Sequence, residues 1–123
     1  VQVRFEICPL FTETFANHPE VLDKIHAFMA AKTRDPLAAF GSSDTQFNSK
    51  VPLGIAVPKL KHANLSNDLR LFYTVSGRDP TVFKLYAVYS HDESGTGQPS
   101  NIKRQKNAGK QMANQAFQPF LKQ

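Results

Sequence analysis

Apolar and polar residues alternate from the first position. Val1, Val3, Phe5 and Ile7 fall on one side of an extended chain, and Gln2, Arg4, Glu6 and Cys8 on the other. That pattern predicts a strand with one buried face. Pro9 ends it, because proline brings no N–H to a ladder. The period then changes. Val21, Leu22, Ile25, Phe28 and Met29 recur at helical spacing, with Asn17 as a cap and Pro19 in the first turn. A helix of about four turns is expected from His18-Pro19-Glu20 to Lys32, stopped by Asp35-Pro36.

Residues 36–58 lose any period. Gly41-Ser42-Ser43-Asp44 reads as a loop, and Pro52, Gly54 and Pro58 interrupt the remainder of the segment. Irregular structure with a short helical turn at 36–40 is expected there. Three strand signals come next: 59–65, 69–75 and 81–90, parted by Ser66-Asn67-Asp68 and by Ser76-Gly77-Arg78-Asp79-Pro80. Two hairpins in succession make an antiparallel meander. Residues 91–98 read as a glycine-containing loop. Ser100 or Asn101 can cap a last helix with Ile102, Gln105, Gly109, Met112, Ala113, Ala116 and Phe117 as a weak apolar stripe. The order β-α-loop-β-β-β-α describes an α+β fold. A small antiparallel sheet takes in the N-terminal strand, helices pack on it, and one domain spans residues 1–123.

Composition narrows the partners. The 123 residues carry 15 Lys and Arg against 10 Asp and Glu, a net charge of +5. That excess favours an acidic partner, with nucleic acid first and an anionic membrane or acidic protein behind it. A single cysteine, Cys8, excludes an internal disulfide framework and suits a reducing compartment. No apolar run reaches the roughly 18 residues of a spanning helix, and the start does not read as a signal peptide. A cytoplasmic location is expected.

Candidate chemistry gathers on the meander. If the hairpin register suits, Lys59, Lys61 and Arg70 share a solvent face. The third strand ends in His91-Asp92-Glu93. Cations can stabilise a pentavalent phosphate, and His or a carboxylate can move protons near neutral pH. Cutting RNA through its 2′-hydroxyl needs no more than this, and the four His stand at no metal-ligand spacing. No cofactor is expected. Each residue has a plainer reading. Lys-x-Lys can be a solvated edge, His62 a satisfied core histidine, and Arg70 a partner of Asp68 or Asp92.

Lys59-Leu60-Lys61, a turn, Arg70-Leu71-Phe72-Tyr73-Thr74-Val75 and a long strand reaching His91 resemble the core of RelE-like toxins. The stretches from Phe28 to Gly41 and from Asn107 to Phe117 are similar to the YafO branch, and the placing of Asp68, His62 and His91 resembles YafQ-type toxins. The resemblance implies a metal-independent endoribonuclease that cuts mRNA in the A site of the 70S ribosome and is neutralised by a cognate antitoxin in a bacterial cytoplasm. Carried over by position, Lys59 and Lys61 would hold phosphate, Arg70 would stabilise the transition state, and His91 would act as acid or base. Asp68 and His62 come from the YafQ-like pattern alone. Glu93 is added here as a base or a group that orients His91. Lys103, Arg104, Lys106 and Lys110 on the last helix read either as a solvated face or as an RNA and ribosome contact. The turn before Arg70 is longer than in RelE, which leaves the Lys61–Arg70 register open. A ParE-like gyrase poison and a non-catalytic RNA-binding module stay open beside this reading.

Overall fold

The alternating start forms a strand, β1 (Val3–Ile7), in the computed structural model, which describes residues 2–120. Pro9 does more than end it. It opens a helix that the pattern did not predict, α1 (Pro9–Ala16), from the first-turn position where its missing N–H is not needed. Leu10, Phe11 and Thr14 are its buried side. Thr14 Oγ1 donates to the Leu10 carbonyl (2.8 Å) and accepts the Val88 N–H (2.9 Å), tying this short helix to the sheet. A 3-10 turn at Pro19–Val21 leads into α2 (Leu22–Arg34), the expected helix.

The irregular segment holds more order than its breakers suggested. Residues 36–40 are not helical; a turn closes there with the Ala38 N–H on the Asp35 carbonyl (3.2 Å). Beyond it lie β2 (Thr45–Gln46) and the short α3 (Pro52–Ala56), again with proline in the first turn. The meander then comes as expected: β3 (Lys61–Asn64), β4 (Leu69–Ser76) and β5 (Thr81–Ser90). The expected loop after β5 begins instead with one helical turn, α4 (His91–Ser94). The last helix, α5 (Ile102–Ala113), is capped by Asn101, whose side chain accepts the Arg104 N–H (3.0 Å). It stops before Ala116 and Phe117, and β6 (Gln118–Pro119) comes after it.

The six strands of the described residues share one sheet, in the order β2-β3-β4-β5-β1-β6. The first strand does join the sheet, between β5 and β6. It runs parallel to β5, with Val3 opposite Thr81 and Ile7 opposite Leu85. One face carries Phe5, Leu71, Tyr73 and Phe83, and α2 covers it: the Phe28 ring meets Tyr73 at 4.9 Å and Phe83 at 6.2 Å. The other face carries Phe72 and Tyr89, 5.7 Å apart, with Phe47 stacked on Phe72 at 5.6 Å. The Tyr89 hydroxyl donates to Gln111 Oε1 of α5 (3.2 Å). Phe28, Phe72, Phe83, Leu71 and Leu85 are fully buried, and each contributes roughly 1.5–3 kcal/mol by leaving water. Among the described residues no helix is long and apolar enough to cross a membrane.

One irregularity sets which side chains meet. Phe72 pairs with Ala87 but Tyr73 pairs with Leu85, so Tyr86 has no opposite number. This bulge shifts β5 by one residue against β4. Before it, the odd positions Phe83 and Leu85 share the Tyr73 face; after it, the odd position Tyr89 lies opposite Arg70 on the other face.

Candidate active site

The β3–β4 register divides the expected cation cluster. Asn64 stands opposite Arg70, and His62 opposite Phe72, so these four share a face. Lys61 stands opposite Tyr73 and points to the α2 side. Lys61 and Arg70 therefore lie on opposite faces, and the expected Lys-Lys-Arg surface does not form. Lys61 Nζ is 4.0 Å from Asp44 Oδ1 and 5.7 Å from the centre of the Tyr73 ring. Lys59 is not in the strand at all. Its φ of +64 closes a turn in which the Leu60 N–H reaches the Val57 carbonyl (3.2 Å), a left-handed conformation no ladder residue takes.

What does gather on the Arg70 face is His62, Asp68 and His91. The Leu69–Ser90 pair ends the β4–β5 ladder, and one step beyond it Asp68 meets His91. The His91 N–H reaches both the Asp68 carbonyl and Asp68 Oδ1, each at 3.2 Å. The imidazole Nδ1 lies 3.1 Å from the same Oδ1. A carboxylate only accepts, so Nδ1 carries the proton in this bond. On the other flank, His62 Nδ1 is 3.0 Å from Arg70 Nη1, and His62 Nε2 is 3.1 Å from Thr45 Oγ1. Burial, then the Arg70 charge, pushes the His62 ring down to about 4; Asp44 pulls the other way and His91 adds a smaller push down. Burial also lowers Arg70, with Asp68 opposing, yet a guanidinium stays charged. Arg70 Nε and His91 Nε2 are closed off from solvent and have no hydrogen-bond partner among the described residues.

Glu93 does not face this cluster. It completes a capping box on α4: its Oε1 accepts the Ser90 N–H (2.8 Å) while the Glu93 N–H goes to Ser90 Oγ (3.0 Å). His18 Nε2 sits on the same Oε1 at 2.9 Å. Burial would raise the Glu93 carboxyl, but the bonds from Ser90 and His18 outweigh it and hold it low. It is a carboxylate already in use as a cap, not a free base. Lys103, Arg104, Lys106 and Lys110 are all exposed on α5. Arg104 is engaged with Asp92 at 2.5 Å, which leaves the three lysines as the freer charges.

A second polar group, on the α2 side, went unread in the sequence. Lys32 is buried, and its Nζ lies 2.6 Å from Asp44 Oδ2 and 2.6 Å from the Ala38 carbonyl. Asp44 also accepts from the Tyr73 hydroxyl and from the Phe40 N–H (2.8 Å). Burial would raise the Asp44 carboxyl, but Lys32, Tyr73 and the Phe40 amide hold it below the usual range. The sequence showed Lys32 only as the last polar residue of a helix and Asp44 only as a loop residue; nothing local marks either as buried. No group of three or more His, Cys, Asp or Glu among the described residues is placed to hold a metal ion.

No protein-family model matches the sequence, and no curated protein is significantly similar to it. Its structure is similar to a solved YoeB/ParE toxin from Agrobacterium tumefaciens. The two chains are 12% identical, with a TM-score of 0.55 over 74% of this chain and 99% of the other. The fold is thus a RelE/ParE-like toxin fold, an α+β sheet with helices packed upon it.

Proposed function

We propose that the chain is the toxin of a toxin–antitoxin pair and acts as a metal-independent endoribonuclease on mRNA in the ribosomal A site. The observation that carries this reading is the cluster on one sheet face: Arg70 on His62 and His91 on Asp68, with Arg70 Nε and His91 Nε2 left without partners among the described residues. Buried polar atoms in folded proteins are nearly always paired, and exceptions concentrate where a ligand supplies the partner. The RelE/ParE-like fold and the sequence resemblance to RelE-like toxins support the same reading.

The chemistry rests on the donors and acceptors present. A base removes the 2′-hydroxyl proton, the 2′-oxygen bonds to phosphorus, and the bond to the 5′-oxygen breaks. That oxygen leaves with a proton, giving a 2′,3′-cyclic phosphate and a 5′-hydroxyl. Arg70 stabilises the added negative charge on the phosphorane. Asp68 holds the His91 proton on Nδ1 and so leaves the free lone pair on Nε2, the atom that takes or gives a proton once a turn of the partly exposed ring uncovers it. Lys61 and Lys59 have no part in this step, because neither stands beside Arg70. Lys103, Lys106 and Lys110 face solvent and suit a contact with ribosomal RNA, and an excess of +5 suits an acidic antitoxin segment. The working place is the bacterial cytoplasm.

Primer extension on a defined mRNA tests this, with and without 70S ribosomes, using the wild type, Arg70→Ala and His91→Ala. Discrete ribosome-dependent cuts that vanish in both variants are the expected result. No cuts under any condition would overturn the reading. Toxicity that survives both variants would point instead to a gyrase poison.

A further inference from the structure

His62 and Thr45 form a support for Arg70 that the chemistry above does not use. The tautomer is set by hydrogen-bonding capacity alone. Guanidinium nitrogens only donate, so His62 Nδ1, 3.0 Å from Arg70 Nη1, is the unprotonated nitrogen. The ring proton then sits on Nε2 and is donated to Thr45 Oγ1 at 3.1 Å. Phe47 covers the ring, with centroids 4.4 Å apart, and Phe72 lies 6.4 Å away. The residue is 9% exposed.

We infer that His62 is a positioning residue, neutral and held in the Nε2–H tautomer, which aims the Arg70 guanidinium through Nδ1 while Thr45 of β2 fixes the ring. The inference rests on the proposed role of Arg70 but gives His62 no proton to move. Both ring nitrogens are engaged, and a second ring proton would point at a cation. Burial and the Arg70 charge beside the ring, with His91 adding to them, outweigh the pull of Asp44 from the far side of the sheet and press its pKa down to about 4. The resemblance to YafQ-type toxins made His62 a candidate for catalysis, and the geometry makes it the acceptor that sets an arginine.

β2 gains a purpose from this. It has two residues, and on its own such a strand adds little to a sheet. Thr45 lies opposite His62 in the β2–β3 pairing, while its neighbour Asp44 is held on the other face by Lys32 and Tyr73. The clamp on Asp44 therefore sets where the Thr45 hydroxyl stands.

The test compares His62→Ala, His62→Asn and Thr45→Val in single-turnover cleavage of ribosome-bound mRNA, with thermal melts of each. Asn places an acceptor oxygen where Nδ1 was. The expected result is a ~10–100-fold fall in rate for His62→Ala, the size of a missing hydrogen bond to a charged group. His62→Asn should recover the rate to within about 3-fold of wild type, and Thr45→Val should fall between. If His62 moved a proton, His62→Asn would be as slow as His62→Ala, and that outcome overturns the inference. A second readout needs no activity, so it still decides if the wild type cuts no RNA and the proposed function fails. Nitrogen-15 NMR of the imidazoles should show His62 neutral with its proton on Nε2 at pH 7, and Arg70→Ala should raise its titration midpoint. A proton on Nδ1, or a midpoint in the ordinary histidine range that Arg70→Ala does not move, would also overturn it.

Discussion

Asp68 holds His91 with a single oxygen: Oδ1 lies 3.1 Å from the imidazole Nδ1 and 3.2 Å from the His91 backbone nitrogen. The residue is thus fixed at both its main chain and its ring, one step beyond the end of the β4–β5 ladder. Asp68→Ala removes the acceptor and frees the ring to rotate. Cleavage of ribosome-bound mRNA should slow by ~10–100-fold, while thermal unfolding barely moves because Asp68 is largely exposed. An unchanged rate would show that His91 needs no orienting.

The lowered His62 pKa has a consequence for stability. Its ordinary value is 6.5 and its folded value about 4, so between these the unfolded chain binds the proton and the native state does not. The stability this provides is complete above pH 6.5 and is lost progressively as pH falls toward 4. The full effect is on the order of 3 kcal/mol. Urea unfolding at pH 7.0 and 5.0 should show wild type losing stability over this window, and His62→Asn should lose distinctly less.

Lys32→Met removes a cation from beside a buried carboxylate. Asp44 would keep the Tyr73 hydroxyl and the Phe40 N–H, but Lys61 at 4.0 Å is too far to replace Lys32 at 2.6 Å. Breaking such a pair from one side typically removes ~3–5 kcal/mol. The urea midpoint should drop accordingly, and cleavage should fall as well, because Thr45 moves with Asp44. A midpoint within error of wild type would show that the pair contributes nothing.

Gly109→Ala should destabilise although alanine is the better helix former by about 1 kcal/mol. A Cβ at this position of α5 would stand 2.8 Å from the Ala56 methyl of α3, too close for either helix to keep its place. Differential scanning calorimetry should show a lower Tm; a higher one would mean that α3 gives way freely.

Reversing Lys103, Lys106 and Lys110 to Glu should weaken ribosome binding without touching the fold, since all three are exposed. Sedimentation of the protein with ribosomes at rising salt gives the measure. The slope of log K against log salt should flatten by roughly 0.7–0.9 for each phosphate that is no longer neutralised. An unchanged slope would return α5 to the status of a solvated surface.

Much of the scaffold was legible because it depends on local pattern. Alternation marked β1, β4 and β5, the 3.6-residue period marked α2, and the cap pair Ser100 or Asn101 marked the start of α5, where Asn101 is the one used. Pro9 misled because proline both ends strands and starts helices, and only the burial of Leu10, Phe11 and Thr14 decides between the two. The site was half legible. Arg70 and His91 were singled out, but which side chains share a face is set by register and by the bulge at Tyr86, and neither leaves a mark in a single sequence. Lys61 and Arg70 were expected together for that reason and stand apart. Lys32, Asp44 and Thr45 were missed because long-range pairing, not local composition, buries the first two and places the third against His62.

The parallel seat of β1 orders events during synthesis. Val3 and Phe5 have no partner strand until Thr81 and Phe83 have been made, and β6 can pair with β1 only later still. The same strand, β5, delivers His91 to Asp68. An emerging chain thus cannot seat β1 in the sheet before β5 is made, and the strand that receives β1 ends at the residue before His91. The Asp68–His91 pair is therefore made before α5 and β6, so on the proposed reading the reactive pair precedes the elements that finish the fold.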